Sequence, residues 1–214
     1  MTRSIRLMLA CTAFAAAPAF AQNLVQNGSF ESPALGIGNW GIYPAIPNWA
    51  LFSGSGAEIQ NNVAGSPYAG EQHVELDGND NSAIEQAVPV VSGATYRFTW
   101  AYSPRPGVSS ASNGVSVFVD GNLVGTSAAD GGALSDTAWT VYQLVVPASG
   151  PTITLGFRAS GTSDGVGGYI DDVTLSLVAP PPSAAAVDAS SNATLALMAL
   201  ALAAAAALSL SRRG

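Results

Sequence analysis

The run Gly167-Gly168-Tyr169-Ile170-Asp171-Asp172-Val173-Thr174-Leu175-Ser176-Leu177 decides the fold class of this chain. Val173, Leu175 and Leu177 alternate with Thr174 and Ser176, the period of a half-buried β-strand. Carried backwards, the alternation puts Asp171 on the apolar side, where an unpaired carboxylate is costly. Ile170 falls out of phase with Val173, which predicts a bulge beside the acid pair. Two adjacent acids at the mouth of a core strand need a partner, and a cation is the simplest one. At the other end, Asn23-Leu24-Val25-Gln26-Asn27-Gly28-Ser29-Phe30-Glu31 reads as the first strand. The two ends are expected to meet, with Glu31 sharing the acid site.

Between these ends no helical periodicity is present. Short alternating runs recur between Gly, Asn, Asp, Pro and Ser, the pattern of a sandwich or barrel. Strands are expected at 49–52, 57–61, 72–77, 83–90, 95–102, 115–120, 123–124, 140–146 and 152–159. Tyr96, Phe98, Trp100 and Tyr102 share one face of theirs and read as core, as do Trp49 and Trp139. The stretch around Trp40 and Tyr43, rich in Gly and Pro, reads as loop.

The termini read differently. Residues 1–21 have the form of a secretory signal: Arg3 and Arg6, an apolar run, and Ala19-Phe20-Ala21 as a cleavage site. Cleavage there removes Cys11, the one cysteine, so the mature domain at 22–178 is expected to hold neither a disulfide nor a thiolate site. A Pro/Ala/Ser spacer at 179–192 leads to an apolar segment ending in Arg212-Arg213. Ala193–Leu210 as a helix rises about 27 Å, enough to cross a thin bilayer with the arginines inside.

The chain has no lysine, and Arg97, Arg105 and Arg158 face fourteen acids that all fall between Glu31 and Asp188. An exported portion near −11 argues against nucleic acid, which needs a basic footprint, and against anionic lipid. It suits an extracellular domain with hard-cation sites.

The ordered set Asn23 to Glu31, Ile46-Pro47-Asn48-Trp49, Gln72 to Gly78, Ile84-Glu85-Gln86, Gly93 to Tyr96 and Ile170 to Val173 resembles galactose-binding-like jelly-roll β-sandwich domains, the domain-of-unknown-function family 642 in particular. The resemblance implies an all-β jelly roll outside the cell that binds polysaccharide without catalysis. It also implies a structural calcium ion held by Ser29, Glu31 and Asp171 or Asp172. The tail resembles exosortase-processed PEP-CTERM sorting signals, with Ser190-Ser191-Asn192 where that class carries Pro-Glu-Pro. Implied partners are therefore a glycan, the inner membrane of a Gram-negative bacterium and an exosortase-type enzyme.

Sugars stack their C–H faces on aromatic rings while polar groups read the hydroxyls. Trp40, Tyr43, Tyr68 and Phe118, with Arg105, are the candidates. A structural or adhesive surface protein is the rival reading. Enzymatic readings fit less well. Gly161-Thr162-Ser163-Asp164-Gly165 has the spacing of a nucleophile elbow, but the one histidine, His73, precedes it and no helix follows. Glu71, His73, Glu75 and Asp77 share a strand face; paired carboxylates there would suit glycoside hydrolysis, and a solvated face is the plainer expectation.

Overall fold

The computed structural model describes residues 22–181. Its strands are β1 (Trp40–Tyr43), β2 (Ala50–Ser53), β3 (Ala57–Gln60), β4 (His73–Glu75), β5 (Ala83–Pro89), β6 (Thr95–Ser103), β7 (Val115–Val119), β8 (Asn122–Ser127), β9 (Thr140–Pro147), β10 (Thr152–Ala159) and β11 (Tyr169–Ala179). They form two antiparallel sheets, ordered β1-β3-β4-β11-β6-β9 and β2-β5-β10-β7-β8. No helix occurs among the described residues. The expected signal at 1–21, most of the spacer and the apolar tail at 193–214 lie outside them.

Alternation places the core. Tyr96, Phe98, Trp100 and Tyr102 of β6 point inward, as do Ile153, Leu155 and Phe157 of β10 and Val173 and Leu175 of β11. Trp49 is core as well, its ring against Phe30 and Phe157. Trp139 is not. It is half-exposed, stands against His73 and Tyr68, and donates its ring N–H to the Ser66 carbonyl.

The bulge is where the out-of-phase Ile170 placed it. Asp171 pairs with Ala101 and Thr174 with Thr99, so β11 carries one extra residue there, and Asp172 takes φ +46°. The extra residue resets the phase. Ile170 faces the core, and Asp171, expected on the apolar side, shares the outer face with Tyr169 beneath a loop.

The stretch from Leu24 to Glu31 is a turn-bearing segment and not a strand. Its side chains prefer local bonds: Asn27, at φ +53°, accepts from the Ser32 amide and donates to the Ser32 and Pro47 carbonyls. The segment ties both sheets together. Asn23 accepts from the Leu175 amide and Gly28 accepts from the Val173 amide in β11, while Gln86 of β5 exchanges two bonds with the Gln26 backbone. A Cβ on Gly28 would lie 2.1 Å from the Val173 carbonyl oxygen, so only glycine permits this approach.

Candidate functional site

The outer face of the six-stranded sheet carries polar side chains in register. Glu58 on β3 stands opposite Glu75 on β4, which stands opposite Tyr169 on β11. In the neighbouring row Trp40 on β1 is opposite Gln60, and Gln60 is opposite His73. This face is not solvated as expected. Loops roof it, and Gln60, His73, Glu75 and Tyr169 are wholly buried.

Gln60 Nε2 donates to Glu58 Oε1 at 2.7 Å and to Glu75 Oε2 at 2.9 Å, bridging the two carboxylates. Glu75 also pairs with the Arg105 guanidinium and accepts from the Gly167 amide. Burial raises both carboxylates above their ordinary range, Glu75 up to about 8 although Arg105 pulls the other way. Asp77, the next acid on β4's line, accepts from Ser163 and the Asp164 amide and so pins the 161–168 loop; the Gly-x-Ser-x-Gly spacing is loop architecture.

At the rim of this network Trp40, Glu58, Val63, Gly78, Arg105 and Gly165 line a depression of about 250 Å³. Trp40 is 55% exposed and offers a flat apolar face. Glu58 Oε2 takes no hydrogen bond from the described residues and can accept, and the unpaired edge of Arg105 can donate. An aromatic plate with one acceptor and one donor beside it is suited to a ligand with an apolar face and hydroxyl edges.

Of the five residues expected to touch sugar, Trp40 and Arg105 meet here. Tyr43 packs against the core and Tyr68 stands against Trp139, 6.1 Å between ring centres. Phe118 lies on the other sheet. Glu58 and Gln60 were missed, although Ala57-Glu58-Ile59-Gln60 alternates and sets both on one face.

The expected calcium ligands can be placed as well. Glu31 Oε1 accepts from the Glu71 and Gln72 amides, and Asp171 Oδ2 accepts from those of Tyr68 and Ala69. Asp171 Oδ1 accepts from the Asp172 amide, and burial lifts the carboxyl up to about 7. The acids do converge, on one loop at 68–72, but N–H donors meet them where a cation needs further oxygens. Among the described residues no three His, Cys, Asp or Glu side chains gather as a metal site.

No family model matches the chain. It is 29% identical over 180 residues to halomucin of Haloquadratum walsbyi, covering 79% of this chain and 2% of that protein. It is 28% identical over 160 residues to the multifunctional-autoprocessing repeats-in-toxin of Vibrio cholerae, covering 72% of this chain and 3% of the toxin. The chain thus spans only a few hundredths of the length of these relatives. Among solved structures it is similar to the carbohydrate-binding module TmCBM61 in complex with beta-1,4-galactotriose, with TM-score 0.45, 18% identity, and 74% of this chain and 100% of that chain covered. It is also similar to the K2 cleaved adhesin domain of Lys-gingipain, with TM-score 0.49, 17% identity, and coverage of 71% and 97%.

Proposed function

We propose that this is an extracellular domain that binds a polysaccharide through the Trp40, Glu58 and Arg105 depression and performs no chemistry on it. The observation that carries the reading is the exposed Trp40 ring beside a carboxylate with a free oxygen and a guanidinium with free donors. A pyranose lying on Trp40 presents its equatorial hydroxyls to both. Glu58 and Glu75 do approach each other, as a glycosidase pair would, but Glu75 is wholly covered and committed to Arg105, Gln60 and Gly167. A single acid reaches the ligand. Export by a signal at 1–21, retention at the inner membrane by 193–214 and exosortase-type processing complete the proposal and rest on the sequence alone.

The test is retention on insoluble and arrayed neutral polysaccharides. Trp40→Ala is expected to weaken binding about tenfold, equivalent to ~1.4 kcal/mol, with an unchanged melting curve. Retention on no neutral glycan, or full retention by Trp40→Ala, overturns the reading.

A further inference from the structure

The outer face of the five-stranded sheet holds a second group that the first site leaves unused. On β10, Gly156 and Arg158 lie on the outward-facing row, Gly156 between Glu85 on β5 and Phe118 on β7 and Arg158 between Ala83 and Ser116. The Arg158 guanidinium carbon lies 5.8 Å from the centre of the Phe52 ring and 5.4 Å from that of Phe118. Two rings hold the guanidinium by cation–π attraction and restrict its motion. Its N–H edges stay open: Arg105 with Glu75 is the one ion pair among the described residues. Gly156 has no side chain, and a groove of about 200 Å³ opens over it between Phe52, Glu85, Phe118 and Arg158.

We propose that this groove binds a uronic-acid unit of an acidic polysaccharide, its carboxylate on Arg158. A stacked guanidinium presents a planar two-donor edge, which matches a carboxylate oxygen for oxygen. Phe52, 62% exposed, supplies a ring face for the C–H side of the sugar. Glu85, on the same face, accepts from a hydroxyl and repels a second negative charge, so a singly charged ring fits and a dianion does not. The groove is smaller than drug-sized pockets and has room for one ring, not a globular partner. Nothing in this assignment depends on the Trp40 depression.

The test is affinity electrophoresis of the full chain in mild detergent through gels with polygalacturonate, its methyl ester, dextran sulfate or polyglutamate. Polygalacturonate alone is expected to retard the protein. Arg158→Gln should lower that affinity at least tenfold and Phe52→Ala severalfold, while Trp40→Ala leaves it unchanged. Equal retardation by the methyl ester removes the carboxylate from the assignment and overturns it. Stronger retardation by dextran sulfate makes the ligand a sulfate ester, and by polyglutamate an acidic peptide; either overturns it. Loss of polygalacturonate binding in Trp40→Ala would move the uronate to the first site and overturn it as well. A neutral polymer retained by Arg158→Gln tests the Trp40 reading separately. Arg158 is exposed, so Arg158→Gln is expected to melt as the parent does.

Discussion

His73 is wholly buried, and neither ring nitrogen has a partner among the described residues. Its ring packs at 4.3 Å on Tyr169 and at 5.7 Å on Trp139. Burial, and then the charge of Arg105, lower its pKa to about 4, with Asp136 pulling weakly upward. The unfolded chain takes a proton near 6.5 and the folded one does not until about 4. The stability from neutral His73 is therefore complete above pH 6.5 and is lost as pH falls towards 4, at up to ~1.4 kcal/mol per pH unit. Buried Glu75 has the opposite sign. Its contribution is complete below 4.5 and is lost as pH rises through about 8. Asp171, raised to about 7, slopes the same way as Glu75. Those opposing slopes cancel in the difference between parent and His73→Phe, which keeps the aromatic packing. Urea unfolding at pH 7 and pH 5 is expected to show the parent losing stability relative to the variant. Parallel curves would mean that His73 is already charged or solvated in the fold. In the same way, Glu75→Gln should flatten the fall in stability between pH 5 and 8.

At the level of elements, the N-terminal segment is a clip made of amides. Glu31→Ala leaves two loop amides without their acceptor and is expected to cost about 1–3 kcal/mol. Gly28→Ala drives a methyl into the Val173 carbonyl and should cost a similar 1–3 kcal/mol through overpacking. If amides and not a cation hold the clip, chelator leaves the parent's melting temperature unchanged and Glu31→Ala melts lower with or without it. A chelator-sensitive parent and an insensitive Glu31→Ala would favour the calcium reading. The same segment shows what the sequence could reveal. β10 is predicted at 152–159 as found, because eight residues of strict alternation between turn residues admit little else. The nine residues from Asn23 to Glu31 also alternate loosely, but Asn27 favours local bonds and left-handed backbone, and the ladder never forms. Trp40 and Tyr43 sit among turn residues and still make a strand, because β3 supplies the pairing. The bulge on β11 was legible in one out-of-phase isoleucine. Trp40 and Arg105 were legible by residue type. Glu58 and Gln60 were not, since their meaning comes from β3 lying beside β4 and β4 beside β11, a register fixed by distant parts of the chain.

For the whole molecule, the two faces and the edges have different chemistry. Both outer faces carry polar or charged groups, Glu58 and Arg105 on one and Glu85 and Arg158 on the other. The edge at β9 does not. Thr140 to Pro147 contains no charge, forms the last strand of its sheet, and exposes Val141 at 52% and Val145 at 58%. Leu123 and Val124 of β8, the last strand of the other sheet, are exposed as well. An edge strand presents a row of unpaired amides and carbonyls, and natural sheets blunt such edges with lysine, proline or a bulge. Here Pro147 closes one end only. The domain's net negative charge supplies long-range repulsion between copies, and salt screens it over about 8–10 Å. Self-association is therefore expected to rise with both protein and salt concentration, read as apparent mass by light scattering. Val141→Lys places a charge on the exposed face of the edge strand and removes no core contact, so its melting curve should stay within about 0.5 kcal/mol of the parent's. It should hold the apparent mass at that of a monomer at salt where the parent associates. A variant that associates as readily as the parent would locate the contact on another surface.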